Sequence, residues 1–180
     1  MLLYPDMEKL SIARYSLKDE EYPFDGFTHT RVISRGFIFD GEGRVCLHRL
    51  YRDDIFCKQE YYETPGGGVD EGESLIEALR RECLEETGYE LSDIREIAIV
   101  EDAYNLIKRK NENHYFLAKA TKHHDPHFAS EGDLFIKETR FYTLEEALRL
   151  YEGMDDRLVS GLVKRRELPI IRRLVEQNLF

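Results

Sequence analysis

A glycine-rich loop followed by an amphipathic helix constrains this chain more than any other feature. Three successive glycines in PGGG (65–68) let the backbone approach a ligand closely, and a helical pattern then runs to the stop signal Gly88. Glu82, Glu85 and Glu86 fall in the last turns of that helix. Carboxylates near the negative end of a helix dipole are unfavourable by roughly a few tenths of a kcal/mol each. The chain must therefore offset this negative charge.

The same glutamates lie on or beside the apolar face of the helix. At about 100° per residue, Glu86 projects between Leu75 and Leu79, and Glu82 lies at the edge of that face. Glu82 and Glu86 are four residues apart and repel each other. Because buried carboxylates need compensation and clustered carboxylates suit Mg²⁺ or Mn²⁺, the pattern predicts a metal site. Arg81 is the expected partner that organises the acids, and a solvated face paired with arginines is the alternative.

Alternation and turn residues predict a mainly β body with helices. Five segments have the composition of strands: 28–40, 44–50, 94–102, 114–120 and 135–142. The polar segment 108–113 between the third and fourth of these predicts a hairpin loop. A helix after 142 opens with the capping box formed by Thr143 and Glu146. Together the elements predict an α/β or α+β sandwich.

The end of the chain predicts helix as well. The segment 155–180 is expected to form one broken or two short helices, because Pro169 is tolerated only in the first turn of a helix. The basic stretch 162–176 predicts a helix that packs on the body and keeps its basic face in solvent. A contact between two copies in a homodimer is the alternative use of this helix.

Composition bounds the class of protein and its partners. The chain has 180 residues, 42% of them apolar, so it is expected to form one domain over 1–180. The formal net charge of −10 argues against nucleic acid and anionic membranes as partners, and leaves small anionic substrates open. Three cysteines carry no disulfide or zinc pattern, and no apolar run has the length of a signal or membrane segment. These features predict a soluble, cytoplasmic protein.

The loop and the helix resemble the Nudix box of nucleoside diphosphate-linked pyrophosphohydrolases, written G-x5-E-x7-R-E-U-x-E-E-x-G-U with U a bulky aliphatic residue. The charged and glycine positions of the box are all present: Gly67, Glu73, Arg81, Glu82, Glu85, Glu86 and Gly88. Cys83 and Tyr89 replace two of the aliphatic residues. The surrounding strands extend the resemblance to about residues 29–150, and 151–180 would form a C-terminal helical extension.

The resemblance implies a fold, a cofactor and a reaction. The fold would be a Nudix-type α/β/α sandwich with a mixed sheet. Glu82, Glu85 and Glu86 would bind Mg²⁺ or Mn²⁺ with the backbone carbonyl of Gly66, and Glu73 would orient the loop or reach the metal through water. The reaction would be hydrolysis of a phosphoanhydride bond in a nucleoside diphosphate linked to another moiety: a nucleotide sugar, ADP-ribose, a dinucleoside polyphosphate or a nucleoside triphosphate. Phosphoryl transfer depends mainly on charge neutralisation and positioning, which metal ions provide.

The box does not identify the general base. In the family this role belongs to a box glutamate, here Glu85, or to a glutamate beyond the later strands. Glu131 and Glu138 are the candidates of the second kind.

Substrate contacts are expected from residues outside the box. Arg35, Arg49 and Arg52 are candidates for phosphate binding from the sheet. Tyr104 follows Tyr89 at a spacing similar to that seen in dinucleoside-polyphosphate hydrolases.

Two other functions share this fold. One is a non-catalytic module that senses a nucleotide, against which the complete set of box acids argues. The other is an isomerase of isoprenyl diphosphates, whose chemistry needs a cysteine–glutamate pair, and here Cys46 or Cys57 would have to be recruited.

Overall fold

The computed structural model describes residues 11–128 and 132–177, in which a mixed eight-stranded sheet lies between helices. The strands are β1 (Ala13–Ser16), β2 (His29–Phe39), β3 (Val45–Asp54), β4 (Cys57–Glu63), β5 (Gly66–Gly68), β6 (Tyr89–Tyr104), β7 (Arg109–His123) and β8 (Ile136–Tyr142). The helices are α1 (Leu75–Thr87), α2 (Leu144–Glu152) and α3 (Leu158–Glu176). The main path of the sheet is β1-β6-β7-β2-β3-β4, with β5 paired to β2 and β8 paired to β3. The pairs β1–β6 and β2–β7 are parallel, and the other pairs are antiparallel.

The two faces of the sheet carry separate apolar clusters, which confirms the predicted sandwich. Leu79 and Cys83 of α1 pack on Ile38 and its neighbours on one face. Phe37, adjacent to Ile38 in β2, belongs to the larger cluster on the other face, with α2 and α3. Successive strand residues point to opposite faces, so one strand supplies both layers of the core.

Local signals define the helix ends as expected. Helix α1 begins with a capping box of Ser74 and Glu77 and ends at Gly88, whose φ is 78°. The predicted capping box of Thr143 and Glu146 opens α2.

The prediction of a hairpin loop over 108–113 is wrong. The chain reverses at a 3₁₀ turn over Asn105–Ile107, and β7 begins two residues later. Asn111 and Asn113 are buried in that strand and donate hydrogen bonds to Asp102, over 2.5 and 3.1 Å. The polar composition predicts a loop here, but the side-chain amides of these residues are hydrogen-bonded to a buried carboxylate inside the protein.

Helix α3 is continuous, which corrects the prediction of a break at Pro169. The proline lies inside the helix but on its exposed side. Water can therefore hydrogen-bond the helical carbonyl that has no N–H partner at this point.

The prediction that α3 keeps its whole basic face in solvent is also wrong. Arg166 is 1% exposed, and its guanidinium donates to Asp102 over 2.7 Å and to Glu63 over 2.5 Å. The neighbouring Glu167 is also buried and accepts a hydrogen bond from the backbone N–H of Thr64 over 3.0 Å. Arg172 does follow the prediction, since it is exposed and pairs with Glu152. Within residues 11–128 and 132–177, no helix is both long and apolar enough to cross a membrane.

Candidate active site

The glycine loop is in direct contact with the backbone of β2 and with a helix glutamate. Gly66 has a φ of 135°, which side chains rarely tolerate, and a Cβ there would lie 2.2 Å from the carbonyl oxygen of Ser34. A Cβ on Gly67 would lie 2.5 Å from the carboxyl carbon of Glu82. The loop therefore needs glycine to let strand, loop and carboxylate meet.

Glu86 is buried at the base of this loop, as its place on the helical wheel predicts. Its Oε2 accepts a hydrogen bond from the backbone N–H of Gly66 over 2.9 Å and lies 3.1 Å from Nε2 of His48. The other ring nitrogen of His48 lies 2.8 Å from the hydroxyl of Thr139 in β8. No described residue shares a hydrogen bond with the second carboxylate oxygen of Glu86, which leaves that atom for a ligand.

Arg81 holds the remaining acids of the helix. It makes a two-pronged pair with Glu73, with both N···O distances at 2.9 Å, and donates to Glu82 over 2.8 Å. Nη1 of Arg81 also lies 3.5 Å from Oε2 of Glu85, and its Nη2 donates to the carbonyl oxygen of Gly68 over 3.0 Å. Arg81 therefore joins the loop to the acidic turn, as a partner that organises the acids should.

A cavity of about 270 Å³ opens beside the loop and the helix. Glu82 and Glu86 line it, and we call these two carboxylates the acidic end. Its remaining wall carries two further carboxylates, Glu63 and Asp133, with arginines and aromatic rings: Arg31, Arg35, Arg52, Phe56, Tyr104, Arg109 and Phe135. A cavity that joins paired carboxylates to several guanidinium groups suits a metal-bound anion.

The donor chemistry of the acidic end fits a hard divalent cation, although the described side chains are not arranged as a closed ligand set. Among them, no three His, Cys, Asp or Glu side chains lie close enough to hold a metal ion together. Burial raises the pKa of Glu82, Arg81 opposes this shift, and the charge of Glu86 adds to it. A cation between the two carboxylates would relieve both their repulsion and the effect of burial.

Groups of the protein itself offset the helix acids, whereas the sequence predicts a divalent cation in that role. In the structure, Arg81 offsets Glu82 and Glu85, while His48 and the backbone N–H of Gly66 offset Glu86. The acids are therefore tolerated by the fold itself, and the features that favour metal binding are their oxygen donors and the adjoining cavity.

Three of the candidate substrate residues line the cavity. Arg35 is held by Glu63 over 2.8 Å, and Arg52 donates to Asp54 over 3.0 Å. The guanidinium of Arg52 also lies 5.0 Å from the ring centroids of Phe56 and Phe135. The third residue is the buried Tyr104.

Arg49 and Glu138 are not among the described residues that line the cavity. They are direct partners in the β3–β8 register, and Nε of Arg49 lies 3.3 Å from the carboxylate of Glu138. The adjacent position on β3, His48, faces the site, and phosphate binding by Arg49 and base catalysis by Glu138 stay predictions. Glu131 lies outside the described residues, so its role as base stays a prediction.

The cysteines do not form the pair that the isomerase alternative needs. Cys46 is buried, and burial raises the pKa of its thiol well above the ordinary value. Cys57 is exposed, and neither cysteine is among the described residues that line the cavity.

Sequence reasoning missed several residues of the site, chiefly His48, Arg31 and Arg109. Arg31 and Arg35 are four residues apart on one strand, so alternation along the strand was a signal that could have identified Arg31. Arg109 lay in the segment misread as a loop, so its position opposite Tyr104 in the β6–β7 register was hidden.

A buried network connects the cavity wall to the C-terminal helix. Glu63, which lines the cavity, forms an ion pair with Arg35 and accepts a hydrogen bond from Arg166 of α3. Thr64, the next residue, binds Glu167 of the same helix through its backbone N–H and its hydroxyl. Helix α3 therefore holds the end of β4 in place beside the glycine loop.

Comparison with known proteins adds a family match. The model of the NUDIX domain matches residues 29–160 of this chain. An RNA pyrophosphohydrolase from Caulobacter vibrioides (strain NA1000 / CB15N) is 47% identical over 51 residues, which are 28% of this chain and 28% of that protein. A putative 8-oxo-dGTP diphosphatase from Bacillus subtilis (strain 168) is 42% identical over 60 residues, 33% of this chain and 38% of that protein. The matches cover well under half the length of these relatives.

Solved structures share the architecture. A NUDIX hydrolase from Nitrosomonas europaea superposes with a TM-score of 0.56 at 18% identity, over 68% of this chain and 78% of that one. A MutT protein from Methanosarcina mazei Go1 gives a TM-score of 0.56 at 20% identity, over 87% of this chain and 99% of that one. At these identities the likeness concerns the fold.

Proposed function

The chain belongs to the Nudix family, and from that premise we propose that it hydrolyses a phosphoanhydride bond in a nucleotide-type substrate, with a divalent cation at the acidic end. The observation that carries the proposal is the cavity itself: Glu82 and Glu86 open into the same space as Arg35, Arg52 and Tyr104. The names of the relatives agree, because an RNA pyrophosphohydrolase and an 8-oxo-dGTP diphosphatase both act on phosphate compounds.

Each residue of the site has a proposed role. Glu82 and Glu86, joined by Glu85 and the carbonyl of Gly66, would hold Mg²⁺ or Mn²⁺. A cation bound there would neutralise charge on the phosphate oxygens and lower the pKa of a bound water. Glu131, or Glu85 of the box, is the proposed general base.

The chain's own residues prepare this site before any ligand arrives. Arg81 and Glu73 fix the loop against the helix, so Glu82 is held against Gly67. His48 and the N–H of Gly66 orient one oxygen of Glu86 and leave the other open to the cavity. Positioning of this kind lowers the entropic part of the barrier, because the groups need not be assembled during the reaction.

A phosphate-release screen tests the proposal. The panel contains a nucleoside triphosphate, ADP-ribose, a nucleotide sugar and a dinucleoside polyphosphate, each with Mg²⁺ and with EDTA. We expect metal-dependent release from at least one compound. Glu86→Gln should lower the rate by about 100-fold or more, since losing a metal ligand exceeds the effect of losing an outer partner.

The matched control is Glu145→Gln, a change to an exposed glutamate in the first turn of α2. It should retain wild-type turnover. Binding of nucleotides without cleavage of any compound in the panel would instead support the sensing module, and equal turnover in Glu86→Gln would remove the proposed role of that residue.

A further inference from the structure

Two arginines of the cavity, Arg31 and Arg109, have no acidic partner among the described residues. We propose that this pair binds a terminal phosphate group of the substrate at a position separate from the acidic end. The protein would then prefer compounds with a free terminal phosphate, such as nucleoside triphosphates, over nucleotide sugars. The inference rests on the proposed function for its substrate class.

Strand pairing brings the two side chains to one face of the sheet. Strand β2 runs parallel to β7, and His29 is the direct partner of Arg109. Arg31 lies two residues beyond His29, so its side chain points to the same face as that of Arg109. Both arginines line the same cavity. Two guanidinium groups therefore converge on one region of the wall.

The other cations of the cavity are already paired within the protein. Arg35 has Glu63, and Arg52 has Asp54. Arg31 and Arg109 differ, since within the described part of the chain no carboxylate lies within ion-pair distance of either. Their charges are the ones in the wall that an incoming anion can neutralise.

Arg109 in particular lacks partners. Its guanidinium lies 5.0 Å from the ring centroid of Tyr104, and its Nε is buried without a hydrogen-bond partner. Burial lowers the pKa of Arg109, and the like charge of Arg31 lowers it further. A phosphate between the two arginines would accept the missing hydrogen bonds and remove the repulsion. Guanidinium groups bind phosphate oxygens in just this two-pronged manner.

The pair and the acidic end line the same cavity but meet strand β5 at different glycines. A Cβ on Gly67 would meet Glu82, whereas a Cβ on Gly68 would lie 2.7 Å from an Nη atom of Arg31. Adjacent strand residues point to opposite faces, so Glu82 and Arg31 lie on the two sides of β5. A phosphate on the arginine pair is therefore a different group from one at the acidic end. Two positive charges match the charge of a terminal phosphate better than that of a bridging phosphate, which carries a single charge.

Calorimetry with inorganic tripolyphosphate in EDTA tests the pair without requiring hydrolysis. Wild type should bind, and Arg31→Gln and Arg109→Gln should each weaken binding by about tenfold, the scale of one charge-assisted contact. Added salt should weaken wild-type binding, because exposed charges are screened. Arg140→Gln is the matched control: this exposed arginine contacts the ring of Tyr142 outside the described lining of the cavity.

The outcomes separate this inference from the proposed function. Arg31 is exposed, so its variant should fold even if the half-buried Arg109 does not tolerate substitution. Selective loss of tripolyphosphate binding in Arg31→Gln supports the pair even if no compound is hydrolysed. Wild-type affinity in Arg31→Gln, or no binding by wild type in EDTA, overturns it even if hydrolysis is found. Where hydrolysis is found, the ratio of kcat/KM for a triphosphate over a nucleotide sugar should fall in Arg31→Gln and not in Arg140→Gln.

Discussion

The carboxylate of Glu82 lies against the backbone of Gly67, so closely that a Cβ on the glycine would be 2.5 Å from the carboxyl carbon. The contact links the loop to the helix at the acidic end of the cavity. A substitution at Gly67 therefore tests whether this contact matters for the reaction.

We expect Gly67→Ala to lower hydrolysis with little change in stability. The added methyl group has to displace the end of a flexible side chain, so the free energy of unfolding should change by no more than about 1 kcal/mol. Moving a proposed metal ligand by this amount should reduce kcat/KM by roughly 100-fold. Gly41→Ala is the control, because a Cβ there has no atom within 4 Å. Equal activity in the two variants would show that the contact between Gly67 and Glu82 has no bearing on the reaction.

Arg166→Met should strongly destabilise the protein. The substitution leaves the buried carboxylate of Asp102 without its cation and leaves Glu63 with Arg35 alone, and breaking a buried pair in this way costs about 3–5 kcal/mol. Urea denaturation measures the loss. Arg172→Met on the same helix removes an exposed pair with Glu152 and should cost less than about 1 kcal/mol. Similar midpoints for both variants would contradict a structural role for the buried network.

The pair of Glu73 and Arg81 should make part of the stability depend on pH. The hydrogen bonds from Arg81 lower the pKa of Glu73 below its ordinary value of 4.5. A lowered pKa in the folded state stabilises the fold above the ordinary value, and that stabilisation is lost as the pH falls through the folded-state value. The gap in unfolding free energy between wild type and Glu73→Gln should therefore be largest at neutral pH and shrink below about pH 4.5. Urea titrations between pH 7 and pH 3 measure it, and a gap that stays constant would contradict the assignment.

Local sequence signals predicted the elements that surround the site. Periodicity placed Glu86 within the apolar face of α1, and that side chain is buried in the structure. Capping residues and Gly88 predicted the helix ends, because these residues act on backbone groups within one turn of the helix. The family match extends this agreement from the box to residues 29–160.

The buried polar network could not be predicted in the same way. Asn111, Asp102 and Arg166 are polar residue types that usually lie at the surface, yet all three are buried. Arg166 and Asp102 are separated by 64 positions, so no local pattern relates them. The wrong prediction of a loop over 108–113 also concealed the position of Arg109. A polar strand whose side chains have buried partners has the same amino-acid composition as a loop. Tertiary pairing of charges decides these positions, and a single sequence carries no record of it.

The central claim is that Glu82 and Glu86 bind a divalent cation, and a Mn²⁺ titration followed by electron paramagnetic resonance tests it most directly. The signal of free Mn²⁺ is recorded against wild type, the double variant Glu82→Gln/Glu86→Gln, and the control Glu145→Gln, with folding checked by thermal melting. We predict that wild type and the control remove Mn²⁺ from solution to the same saturating level, and that the double variant does not. Uptake of Mn²⁺ by a folded double variant with wild-type affinity would contradict the account.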